Sequence, residues 1–120
     1  MELIEISKRI QEKIELLEVG RKELLKRSHK KAESVADYEK ALAITVIKLR
    51  NNAIPEAFGE SCENLPATLI ERVARGLVYE HKLKAESAEA EYKSAIEGMK
   101  AIEAELNGYQ SINRYLQHES

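Results

Sequence analysis

Apolar residues recur at steps of three and four along two long stretches of this 120-residue chain. The first stripe runs through Leu3, Ile6, Ile10, Ile14 and Leu17. It resumes at Leu24, passes Ala32, and continues through Val35, Tyr38, Leu42, Val46 and Leu49. The second runs through Leu69, Val73, Leu77, Ala85, Ala88, Tyr92, Ala95, Met99, Ile102, Leu106, Tyr109, Ile112 and Leu116. Steps of this size place the apolar side chains on one side of a helix. The pattern predicts one helical domain, 1–120, with a helix over about 2–50, a connection over about 51–66 and a second helix over about 67–116.

Gly20 interrupts the first stripe and lowers helix propensity by roughly 1 kcal/mol against alanine. Strong helix formers surround it, so a continuous or gently bent helix is expected. The connection NNAIPEAFGESCENLP holds both prolines of the chain, and Pro55 disfavours helical geometry at Ile54. Ile54 and Phe58 predict that part of it packs down, with a short helical turn around Pro55 to Phe58. The second helix has two candidate starts. Pro66 suits a first helical position, where no N–H is needed. Alternatively Thr68 caps, with Glu71 completing a capping box. Gly76, Gly98 and Gly108 either weaken this helix or admit a close neighbour.

Laid antiparallel, with opposed position numbers summing to about 117, the two stripes match along their whole length. Val46 meets Glu71, Tyr38 meets Tyr79, Ala32 meets Ala85, Gly20 meets Glu97 and Gly98, and Ile10 falls beside Leu106. The fold class expected is all-α, a long antiparallel helical hairpin of coiled-coil type. One seam leaves Ile4, Leu25, Ile44, Ile47, Ile70, Val78 and Ile96 beside or off the stripe. That surplus predicts self-association, and a dimer of hairpins would form a four-helix bundle.

Composition narrows the function. With 19 Lys+Arg against 21 Asp+Glu, the net charge of −2 does not mark a nucleic-acid binder by bulk charge. The start lacks the basic region and unbroken apolar core of a signal peptide. No apolar run approaches the ~20 residues of a membrane span, so a cytoplasmic protein is expected, with no membrane partner. A single cysteine, Cys62, excludes an intramolecular disulfide and a cysteine metal cluster.

Local charge is less even. Arg21, Lys22, Lys26, Arg27, Lys30 and Lys31 lie within eleven residues that hold only one acid. One reading is a phosphate-backbone contact. The other is structural: the antiparallel alignment sets residues 21–31 against Glu86, Glu89 and Glu91, which would fix the register. His29, His81 and His118 stand in no metal-binding spacing, and neither His29 nor His81 completes a Glu-x-x-His pair. Glu60 and Glu63 disfavour a thiolate at Cys62. No catalytic residue, cofactor or metal site is expected. Tyr109 and Tyr115 near the chain's end keep the apolar period, either as packed seam residues or as an exposed partner surface.

The succession of ADYEKALA, a helix ending in KLR, LPATLIERVARG and AELNGYQSINRYL, together spanning residues 36–116, resembles small helical proteins encoded by tailed phages and prophages of Gram-positive bacteria. The resemblance implies a phage or prophage origin and an interaction role near replication and recombination functions, and it carries no catalytic residues. The function expected is a non-enzymatic interaction or scaffold protein that associates with itself and with a protein partner. The alternative is a nucleic-acid-associated accessory factor using the six basic residues of segment 21–31.

Overall fold

The computed structural model describes residues 2–119. Five elements follow one another: α1 (Leu3–Arg50), β1 (Glu56–Ala57), β2 (Glu60–Ser61), α2 (Ala67–Leu77) and α3 (Tyr79–Glu119). The fold is the expected all-α antiparallel helical hairpin. Helix α1 passes Gly20 without a break, because one glycine among Leu, Glu, Lys and Arg costs less than losing the helix around it. The chain divides into two compact units, Met1–His29 with Ala90–Ser120, and Lys30–Glu89.

In the first unit, α1 and the later part of α3 run antiparallel. Lys13 Nζ lies 2.5 Å from Glu105 Oε2. Arg27 Nη1 donates to the main-chain carbonyl of Glu91 at 3.0 Å. A Cβ on Gly20 would stand 3.2 Å from Met99 Cγ, so the missing side chain admits the methionine. The position numbers sum to 118 for the first two pairs and 119 for the third, one or two above the predicted 117. Gly98, the expected neighbour of Gly20, has open space instead, as does Gly108. Among the described residues of this unit, Ile6 and Leu17 are buried.

The second unit contains the connection and a core cluster of Leu49, Ala57, Cys62, Ile70 and Ala74. Leu42, Val46, Ile54, Leu65, Val73 and Leu77 pack around it. Helix α1 ends in a Schellman motif: Asn52 takes φ +55°, its N–H reaches Leu49 O at 3.2 Å, and the Ala53 N–H reaches Lys48 O at 2.8 Å. Asparagine tolerates the left-handed region better than most residues. Its side chain also accepts from the Asn64 N–H at 2.9 Å, so the two ends of the connection are tied across twelve residues.

Between those ends the expected helical turn at Pro55–Phe58 is replaced by a small β-hairpin. Strands β1 and β2 pair antiparallel, Glu56 with Ser61 and Ala57 with Glu60. Pro55 cannot donate, but its carbonyl accepts the Cys62 N–H at 2.8 Å and closes the ribbon. Phe58 and Gly59 form the loop with φ +53° and +77°, the geometry of a two-residue type I′ turn that suits the twist of paired strands.

Pro66 stands one place before the first helical residue of α2, and no side chain caps that end, so Thr68 lies inside the first turn. The predicted second helix is also divided. Val78 (φ −103°, ψ 23°) separates α2 from α3. Its N–H still reaches Ala74 O, while its carbonyl accepts from both His81 and Lys82. One tightened turn of this kind bends a helix. It falls two residues after Gly76, the weakest helix former of the stretch.

Candidate interaction surface

The burial pattern separates the surplus apolar residues into two groups. Ile70 and Val78, expected to lie outside the seam, are buried in the second unit, and Ile96 is half-buried in the first. Ile4, Leu25, Ile44 and Ile47 stay exposed. Leu16, Val19, Phe58 and Leu83 join them as exposed apolar residues that periodicity did not single out. Of the two terminal tyrosines, Tyr109 is half-buried and Tyr115 is 64% exposed.

Phe58 is the most unusual of these. It is 69% exposed and carries a bulky side chain at positive φ, where such residues are rare. One edge of its ring rests on α2, 3.1 Å from where a Cβ on Gly76 would be. The absent side chain at Gly76 therefore seats the ring. Glu56 and Glu60 flank this tip. The FG pair between two acids was the available sequence signal, but asparagine or aspartate before glycine is the usual mark of such a turn.

The same unit holds an open groove of about 480 Å3. Its α1 wall is Glu39, Leu42, Ala43, Val46, Ile47 and Arg50, and its α2 wall is Ala67, Ile70 and Glu71. The middle is apolar and the charges stand at the rim. Glu71 is held by Arg75 at 2.6 Å within α2. Glu39 and Arg50 take no ion pair or side-chain hydrogen bond from another described residue. Leu42 and Val46 serve the core on one side and the groove on the other, and 58% of Ile47 is open to solvent.

The six basic residues fall in both units. Arg21, Lys22, Lys26 and Arg27 belong to the first, and Lys30 and Lys31 to the second. Arg27 pairs with Glu23 at 3.1 Å within α1 and donates to the main-chain carbonyl of Glu91 at 3.0 Å. Arg21, Lys22 and Lys26 are exposed and take no ion pair from a described residue. Nearer the start of α1, the hydrogen bond to Glu105 raises the pKa of Lys13 above the ordinary lysine value.

Cys62 lies in the connection, but it is buried in the core cluster and its Sγ points to Glu60 O at 3.9 Å. It packs as a small apolar side chain. The three histidines are exposed on helices. Among the described residues, no three His, Cys, Asp or Glu side chains gather in a metal-sized cluster, and no helix is long and apolar enough to cross a membrane. Compared with protein-family models, curated proteins and solved structures, the chain matches none.

Proposed function

We propose that this chain is a non-enzymatic helical interaction protein, phage- or prophage-encoded as its sequence resemblance implies, which associates with itself and offers its helices to a protein partner. The observation that supports this most is the apolar surface left open on α1. Ile4 is 84% exposed, Val19 64% and Leu25 61%. Leu16 with Val19, and Ile44 with Ile47, stand three residues apart and form exposed apolar pairs on one side of the helix, and apolar residues grouped in this way mark a contact surface. Light scattering from the full chain at micromolar concentration tests the self-association. The expected mass is at least twice 13.6 kDa. A monomer throughout that range overturns it.

A second reading, a nucleic-acid-associated accessory factor, is favoured by one observation: Arg21, Lys22 and Lys26 project from α1 without an acidic partner. A gel shift with duplex DNA and with single-stranded RNA distinguishes it. Binding that fades between 50 and 200 mM salt, and is lost in Lys22→Glu/Lys26→Glu, would support it. The absence of a shift at low salt would remove it.

A further inference from the structure

The α1 wall of the groove has an internal symmetry that bears on what covers it. Its six residues, Glu39, Leu42, Ala43, Val46, Ile47 and Arg50, are arranged evenly about the peptide between Ile44 and Thr45. Any helix face spaced three and four has this property. The chemistry at the ends does not follow from spacing alone. An acid stands at one end, a base at the other, and only apolar residues lie between them. The two charges are eleven residues apart, about 16 Å along the helix. In one copy neither has an ionic partner among the described residues.

We infer that this face is a self-docking surface, on which the same stretch of α1 from a second copy lies antiparallel about a two-fold axis at the level of Ile44 and Thr45. The inference rests on the self-association proposed above and names its surface and its direction. In a two-fold interface, residue i meets residue j and j meets i. Antiparallel docking then sets Glu39 level with Arg50 of the other copy, twice. Leu42 comes level with Ile47, and Ala43 with Val46. Ala43 is the small residue of the seam, and it leaves room for Val46 of the other copy. Parallel docking would instead place Glu39 on Glu39 and Arg50 on Arg50, two like-charge contacts. The opposed charges thus select the direction, while Ile47, Leu42 and Val46 supply the apolar area. The α2 wall completes the groove: Ala67 is small enough for a helix to approach, and Glu71 is already neutralised by Arg75.

The test uses the full chain and measures its dimerisation constant by sedimentation equilibrium. Circular dichroism checks that each variant keeps its helix content. Ile47, Glu39 and Arg50 are all exposed, so their replacement leaves the fold in place. Ile47→Lys is expected to abolish dimers at concentrations where the wild type is dimeric. Glu39→Arg and Arg50→Glu, each placing two like-charge pairs in the interface, should each weaken the dimer by about tenfold. The double variant Glu39→Arg/Arg50→Glu restores opposite charges at both ends, and should return to within about threefold of the wild type. A double variant no tighter than either single variant overturns the antiparallel arrangement. If the wild type dimerises and every variant does so equally well, the interface lies elsewhere: this inference fails while the self-association stands. A wild-type chain that stays monomeric overturns both.

Discussion

The two compact units of this chain use the same helical pairing and hold it in different ways. Around the connection, residues Lys30–Glu89 bury eight apolar side chains, and the chain between the helices is tied by the Asn52–Asn64 clasp and the Pro55–Cys62 bond. In the unit formed by Met1–His29 and Ala90–Ser120, the described residues bury only Ile6 and Leu17. Across its seam Lys13 meets Glu105, Arg27 reaches a carbonyl, Met99 packs over Gly20, and apolar residues such as Ile10 and Leu106 are only half-buried. Two helices side by side enclose little. A third element is needed to close a core, and the β-hairpin with α2 supplies it in one unit only. Stability is expected to concentrate where that third layer exists.

The largest effect should come from emptying the closed core. Leu49 is 1% exposed and surrounded on several sides, so Leu49→Ala is predicted to cost about 3 kcal/mol or more. Leu17→Ala removes the same atoms from a two-helix seam that can collapse around the gap, and a cost nearer 2 kcal/mol is expected. Urea denaturation of both variants compares them. Equal losses would break the contrast between the units.

A smaller effect should follow from untying the connection. Asn52→Ala removes the acceptor for the Asn64 N–H and places a Cβ without side-chain compensation at φ +55°. A loss of roughly 1–2 kcal/mol is predicted. Asn52→Gly keeps the left-handed geometry and loses only the hydrogen bond, so its cost should be about half as large. If both substitutions cost the same in a thermal melt, the backbone conformation contributes nothing and the clasp alone matters.

The smallest effect belongs to the more open unit. Because Lys13 has a raised pKa in the folded chain, its contribution is complete at pH values below the ordinary lysine value of 10.5 and is lost as pH climbs through the higher folded value. Melting temperatures of the wild type and Lys13→Met should therefore differ by a constant amount from pH 6 to 9 and converge above pH 10.5. Convergence at neutral pH instead would show that the Glu105 contact has no bearing on the fold.

Much of this architecture was legible in the one-dimensional pattern. Steps of three and four from Leu3 to Leu49 and from Leu69 to Leu116 mark both helical arms, and the clustered Asn, Pro and Gly residues mark the connection at 51–66. The antiparallel register was legible to within two residues. In the second unit Leu49 shares its core with Ile70 rather than lying beside Thr68, the first turn of α2 being exposed. Phe58 was visible as an apolar residue in the connection, but not as a turn residue, because its positive φ runs against its own preference. The groove had no signal of its own: Ile47 was conspicuous as surplus, whereas Glu39 and Arg50 looked like ordinary solvated charges.

The sequence by itself determined that the chain would be helical, where it would turn back, and that its apolar content exceeds what one seam can cover. These follow from propensity and periodicity, which act over a few residues and are written in neighbouring letters. Only the tertiary structure decided that the connection pairs as strands, that Val78 interrupts the returning helix, that Cys62, Ile70 and Val78 go inside, and which apolar residues remain outside. Each of these depends on what arrives from a distant part of the chain: a phenylalanine ring at Gly76, an asparagine side chain across twelve residues, a third layer over Leu49. Contacts between remote residues are chosen by shape and by the burial they allow together, and no local pattern encodes that choice.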